Sequence, residues 1–528
     1  MRRLLLVLCL VLALAPSAYL AWQWRDMPQT GIFLDDSIYL ASARALANGN
    51  GYRIDSIPGV PWQTKYPILL PLYLSLAWLV EPGFPQVLPW IMLLCWLALP
   101  ACILAALALY RNAGFGNAEK TLLCCLLAVN PVLVFFSLLA MSEVTACALL
   151  LVCMVYLERS SKQHGEERPA ALAGLFAGFA FLARTALFPV LISAPVFFLV
   201  QRRRRQALLF LGAALPFVAG WQLWAATHKP VASDLETIFY TDYFRFYLLN
   251  LKETNIGRLL YDNFGALLKS AGELLVFQEA KGFSGVVPAL IAAVLGVAGW
   301  VRLFRQGRLR HYAVFAALFL TQHLVYNFPP TARFLLPILP GLLAAFSTEF
   351  RHILGLVGQH RRRQAGAERV AGYALACALG LFGAFAVWRA AQGVFRWIPE
   401  HLAAHRRLHE GRLPALHWIS ENSRPDDILL STFEPVAYLY TGRRGLRFCL
   451  LTSLFYPPRK ELIEDYFRRV SRFVHERNIA YVILTANDYT MEEPQLTFPA
   501  WRRVLSDQTV FQKVFGNHTA EVYRVLPR

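Results

Sequence analysis

The sequence predicts an α-helical polytopic membrane protein of about eleven spans, followed by a C-terminal external α/β domain. Three observations predict it. The 528 residues are 56% hydrophobic and 16% charged, where a soluble chain carries about 25% charged residues, and the mean hydropathy is +0.41. Apolar runs such as LLLVLCLVLALAPSAYLAW (4–22) and VVPALIAAVLGVAGWV (286–301) approach the ~20 residues that a spanning helix needs. Every second connection between such runs is basic.

Spans are read at about 4–24, 85–110, 121–140, 144–157, 170–186, 187–200, 207–227, 285–304, 311–327, 334–350 and 370–390. The basic connections are Arg2-Arg3, Arg111 with Lys120, Lys162 with Arg168, Arg202 to Arg205, Arg302 to Arg310, and Arg361 to Arg363. By the positive-inside rule they face the cytoplasm, with the N-terminus inside. A cleaved signal peptide is the competing reading of residues 1–24, but removing it would spoil the alternation. The long segments 25–84, 228–284 and everything after about 390 then lie on the opposite side, since long segments cross largely regardless of charge. The net charge of +18 belongs to this topology, so membrane lipids are expected partners and nucleic acid is not. Eight of nine cysteines fall in spans, leaving only Cys449 in the tail, so no disulfide framework is available there.

The first external loop has its own elements. DDSIYLASARALANG spaces Ile38, Leu40, Ala41, Ala45 and Leu46 on one helical face, and Asn48-Gly49 ends it. YPILLPLYLSLAWLV (66–80) has proline in its first turn. Bounded by Glu81-Pro82-Gly83, it is too short to span and reads as an interfacial helix. Segment 228–284 mixes aromatics with charge, as in TIFYTDYFRFYLLNL, and reads as an amphipathic cap in which Tyr240 and Tyr243 are candidate sugar or lipid contacts. The membrane domain is taken as 1–390 and the linker helix with the α/β domain as 391–528. Within the latter, DILLSTF (427–433), LRFCL (446–450) and AYVILTA (480–486) read as short strands, and ELIEDYFRRVSRFVHERN (461–478) as one amphipathic helix.

Chemistry is expected where the charges gather on the external side. Asp35 and Asp36 follow the first span directly. They fit a helix N-terminus, which favours Asp, and equally a carboxylate able to deprotonate an incoming hydroxyl. Lys65 precedes the second interfacial helix, while Glu143, Arg184 and Arg333 sit near external span ends. Ionisable groups near bilayer depth are costly and face a cavity or a partner. Lys65, Arg333, Arg184 and Arg44 together could hold an anionic phosphate near the outer surface and stabilise it as a leaving group. His401, His405 and His409 recur every fourth residue, a spacing open to metal binding, but their basic neighbours favour a polar linker helix.

These residues resemble the GT-C glycosyltransferases that use polyprenyl-phosphate sugars, closest to the branch holding the lipid A aminoarabinose transferases and the protein O-mannosyltransferases. The likeness is carried by DDSIYLASARAL, with the acid pair, Tyr39 and Arg44, and by TKYPILLPLY, with Lys65 and Tyr66. MSEVTA, GFAFLARTALFP and ARFLLPILPGL extend it to about residue 350. The sequence departs from the pattern at Ile38, Thr64, Tyr66 and Ala186. The resemblance implies Asp35 as the catalytic carboxylate with Asp36 beside it, Lys65 on the lipid phosphate, and Tyr39 and Tyr66 near the substrate. It also raises Glu143 as a ligand of a divalent cation, which the family needs unevenly.

The expected function is an inverting transfer of a sugar from a polyprenyl-phosphate carrier to a lipid, glycan or protein acceptor. It would occur on the periplasmic face of a bacterial inner membrane. A lipid-linked sugar transporter or flippase would call for broken spans in related halves. An oligosaccharide ligase would keep the chemistry with a larger donor.

Overall fold

The computed structural model describes residues 2–527 except 163–165, 252–253, 278–281, 364–366, 452–453, 455–458, 487 and 490–493. The side chains of Arg2, Arg3 and Arg361 to Arg363, part of the basic clusters above, lie outside the described residues.

All eleven apolar segments are helical. Among the described residues six helices are long and apolar enough to cross a membrane, or seven when one bent pair is taken as a single span. That pair is a departure from the uninterrupted span expected at 121–140. Helix Asn117–Ala128 ends, and helix Pro131–Ser137 starts at an angle of 56° to it. Pro131 cannot continue a helix, lacking an N–H and clashing with the preceding turn. Asn130 instead caps the new one, accepting from the amides of Val132 and Leu133 at 3.1 Å each.

A second interruption positions the site. Helix Arg168–Ala183 stops at Arg184, whose backbone is extended, before a short turn leads into helix Pro189–Val200. Leaving the helix aims the Arg184 side chain at the start of helix Ser142–Lys162. The bundle closes by backbone contact at small residues, as membrane helices do. A Cβ on Gly272 would strike the Ala289 carbonyl, and one on Gly299 the Ala345 carbonyl.

The two helices expected in the first loop form as Asp35–Ala47 and Leu69–Val80 and pack on each other. Segment 228–284 supplies helices Leu235–Thr241, Tyr243–Leu251 and Ile256–Val276.

The C-terminal part holds a five-stranded sheet of order β2-β1-β3-β5-β4, with β1 (Ile428–Leu430), β2 (Gly445–Leu446), β3 (Ile479–Thr485), β4 (Phe511–Gly516) and β5 (Ala520–Val525). β2, β1 and β3 run parallel, and β5 and β4 form an antiparallel hairpin beside them. Strand period two splits the core between faces. Val482 and Leu484 pack with Phe467 and Trp501, while Tyr481 and Ile483 pack with Leu416 and Ile419 of linker helix Ile398–Asn422.

Two expectations here are corrected. The single helix over 461–478 is two, Lys460–Arg468 and Val470–Glu476, meeting at Arg469. The β4–β5 hairpin adds two strands to the three expected, and of the strand expected over 446–450 only Leu446 is strand, in β2. The hairpin turn is made by Asn517, whose side-chain oxygen accepts from the amides of Thr519 and Ala520 at 2.8 Å.

Candidate active site

The acid pair separates into two roles. Asp36 is buried, and its carboxylate accepts from the amides of Gly31 and Ser37, each at 2.8 Å. Burial is the main force raising its pKa to about 7; the two amide bonds pull down and the neighbouring Asp35 pushes up. It ties down a loop that includes Leu34 at φ 58°, a left-handed conformation that leucine rarely adopts without such restraint. Asp35 makes no such backbone bond. It is half-buried, its Oδ1 accepts from the Tyr66 hydroxyl at 2.5 Å, and it lines a cavity of about 280 Å³. The residue capping the helix is Leu34, with no side-chain bond, so Asp35 is left to the cavity.

Lys65 lines the same cavity, held by a rigid turn. Buried Gln63 accepts from the Lys65 amide at 3.0 Å and from the Tyr66 amide at 3.2 Å. Thr64 donates to the Thr241 carbonyl at 2.7 Å. The ammonium lies 4.2 Å from the Phe239 ring centre and 5.0 Å from that of Tyr66. Burial lowers its pKa, and the charge of Asp35 opposes that shift. Among the described residues Lys65 makes no ion pair.

Arg333 is the second cation from the membrane part. Its guanidinium lies between the rings of Phe33 at 4.6 Å and Phe334 at 4.8 Å. Behind it, fully buried Glu143 is 3.8 Å from Arg333 and 3.1 Å from Arg184, which also donates to Ser142 at 3.1 Å. One carboxylate thus locks two arginines, of which Arg333 reaches the cavity. Two guanidinium groups against Glu143 repel a divalent cation, so the residues present do not fit the expected metal ligand. Among the described residues no group of three or more His, Cys, Asp or Glu side chains is arranged around a metal position.

Four other expected residues stand off the cavity. Arg44 packs over Trp78 at 5.6 Å and Tyr438 at 5.8 Å. Tyr39 is buried edge-on to Tyr66, with ring centres 5.0 Å apart, and so braces the Asp35 partner. Tyr240 is buried, donating its hydroxyl to Glu434, and the partly exposed Tyr243 lies outside the cavity lining.

The sequence reading missed half of the cavity wall. His405 and Arg412 of the linker helix, with Arg447 and Tyr489 of the sheet region, complete it. Arg412 lies over Phe433 at 5.0 Å, and Arg447 over Tyr489 at 5.5 Å while donating to the Thr432 carbonyl at 3.3 Å. The only signal for the two arginines was the density of arginine in HRRLHEGR and GRRGLRF. The three histidines do not gather at one point: His401 stacks on Trp397 and meets His405 edge-on with ring centres 4.7 Å apart, while His409 bonds the Tyr440 hydroxyl at 3.0 Å. Burial lowers the His405 pKa to about 4, keeping it neutral.

The two halves are stitched together around this cavity. Gly31 lies so close to Val436 that a Cβ would come within 2.7 Å of it. The Gly445 amide donates to the Ser56 carbonyl at 2.9 Å, and Arg477 pairs with Asp234 at 2.9 Å. The resulting chamber offers one carboxylate facing four cations, suited to a hydroxyl beside a phosphate.

No family model and no curated protein sequence matches this chain. Solved structures do. ArnT from Cupriavidus metallidurans bound to undecaprenyl phosphate aligns at a TM-score of 0.53 and 11% identity, covering 96% of this chain and 97% of that one. Its apo state aligns at 0.52 over 92% of each chain, also at 11% identity. The oligosaccharyltransferase AglB from Archaeoglobus fulgidus, in complex with an inhibitory peptide and a dolichol-phosphate, aligns at 0.54 and 13% identity, over 94% of this chain and 72% of that one. The fold is therefore the one these structures share, a multi-pass helical membrane part joined to a small α/β unit.

Proposed function

We propose that this protein is a membrane glycosyltransferase, moving a sugar from a polyprenyl-phosphate carrier to the hydroxyl of a lipid, glycan or protein acceptor. The observation that carries the reading is the placement of Asp35, bonded to Tyr66, in one cavity with Lys65 and Arg333. The solved structures of like fold include one bound to undecaprenyl phosphate and one in complex with a dolichol-phosphate, which supports a carrier of that class.

In the proposed step the acceptor oxygen bonds the anomeric carbon as the bond from that carbon to the phosphate oxygen breaks. The hydroxyl proton passes to Asp35. The carrier phosphate leaves with its charge held by Lys65 and Arg333, whose orientation Glu143 and Arg184 maintain. Direct displacement inverts the sugar carbon. Residues 1–390 serve as the membrane domain and 391–528 as a periplasmic domain closing the cavity, in a bacterial inner membrane with the N-terminus inside.

The test is purified Asp35→Asn in lipid nanodiscs, supplied with polyprenyl-phosphate sugars and membrane-extract acceptors, with products read by mass spectrometry. Asn keeps the shape and removes the base, so transfer should fall about 10²–10⁴-fold with unchanged thermal stability. Asp36→Asn, away from the cavity, should retain transfer while losing stability. Wild-type turnover by Asp35→Asn would refute the reading.

A further inference from the structure

A second polar cavity, of about 240 Å³, lies far from Asp35. It sits by the last turn of helix Leu88–Asn112 and the turn joining helices Gly282–Arg305 and Arg310–Leu324. Helix Leu88–Asn112 has 25 residues, about 37 Å of rise, so this is the opposite end of the bundle from the first loop.

Three arginines line it: Arg302, Arg308 and Arg351. Each is fixed along one edge by the protein. Glu349 takes Arg302 at 2.6 and 3.0 Å, and Glu119 takes Arg351 at 2.5 Å. Arg308 lies 3.7 Å over the Phe115 ring centre and donates Nε to the Ala113 carbonyl at 2.9 Å. A guanidinium carries five N–H donors, and these bonds use one or two of each. Thr348 and His352 add further polar side chains, while among the described residues Glu119 is the one carboxylate in the wall.

A continuous apolar strip leads to this cavity. Leu290, Val294, Val297, Val301 and Phe304 are exposed along helix Gly282–Arg305, ending beside Arg302, and Leu122 is exposed one turn beyond Glu119. Such a strip accepts an acyl chain, and a basic pocket between helix ends accepts its headgroup. At about 240 Å³ the cavity has room for a phosphate with a short ester.

We infer that this cavity is a binding site for a phosphate group, carried by an anionic phospholipid whose acyl chain lies on the strip from Leu290 to Phe304. The site is independent of the transfer centre and does not depend on that reading.

The test uses full-length protein in detergent, titrated with phosphatidylglycerol or phosphatidylcholine of matched chains and read by native mass spectrometry. Wild type should retain phosphatidylglycerol at least about fivefold better, the worth of one basic residue near a lipid surface. Arg308→Gln and Arg351→Gln should each lose about that factor. Glu119→Gln removes the acid from the wall and should gain about the same, a rise that misfolding cannot produce. Inorganic phosphate alone is the second probe. If it binds with the same dependence on these variants and phosphatidylglycerol shows no advantage, the lipid assignment is overturned in favour of a soluble phosphate. Equal retention of both lipids with no phosphate binding, or selectivity unchanged in all three variants, overturns the site.

Discussion

Glu143 offers the sharpest test of how the membrane part holds its cations. Its carboxylate is fully buried and, among the described residues, makes no hydrogen bond, its charged neighbours being two guanidinium groups, 3.1 Å away at Arg184 and 3.8 Å away at Arg333. At an effective dielectric near 20, those separations are worth about 5 and 4 kcal/mol of attraction, offset by the desolvation of all three charges. Replacing Glu143 with Gln keeps the shape and leaves two half-buried cations facing each other. Breaking one partner of a buried pair costs about 3–5 kcal/mol, so Glu143→Gln should destabilise by that order. Cys102, Cys147 and Cys153 are free and buried nearby in the bundle, so a thiol-reactive dye reports unfolding without an added label. In a cycle with Arg184→Gln, the double variant should recover part of the loss. Energies that add within about 0.5 kcal/mol would refute the coupling of Glu143 to Arg184, and the same cycle with Arg333→Gln puts the claim that Glu143 orients Arg333 to the same test.

Three other outcomes are expected. Lys65→Gln should weaken undecaprenyl phosphate binding at least about tenfold, the worth of a charged hydrogen bond, with normal folding and partial rescue by Lys65→Arg; unchanged binding removes the phosphate role. Burial raises the Glu434 pKa to about 7, against the pull of Tyr240, Arg447 and Lys65. The folded state therefore holds this proton where the unfolded chain has lost it, and stability falls as pH rises from about 4.5 through about 7, by at most ~1.4 kcal/mol per unit. Asp36 adds the same trend, so the unfolding midpoint should drop between about pH 5 and 8 and Glu434→Gln should flatten the slope; a steeper slope in the variant would contradict this. Reporter fusions at about residues 205 and 308 should read cytoplasmic, and at about 55 and 450 external, a cytoplasmic signal at 450 being incompatible with the proposed topology.

What the sequence determined by itself was set by local and one-dimensional physics. Apolar length decided the helical membrane class. Asp35, Lys65 and Arg333 were legible because charge next to bilayer depth is costly and so conspicuous. The break at Pro131 was also local chemistry, present in the chain but masked by the apolar run around it. Tertiary structure alone decided which acid serves the cavity: Asp35 and Asp36 are adjacent and alike, and only the fold turns one onto the Gly31 and Ser37 amides and the other toward Tyr66. It alone gave Glu143 two arginines from distant segments, removing the metal role. It alone brought Arg412 and Arg447 into the chamber, from the linker helix and the sheet, because the contacts of Gly31 with Val436 and Ser56 with Gly445 span some 400 residues. The β4–β5 hairpin escaped for a related reason. β4 has only Phe511 fully buried and breaks the two-residue alternation with an irregularity between Lys513 and Phe515, so its identity as a strand comes from pairing with β5 rather than from its own pattern.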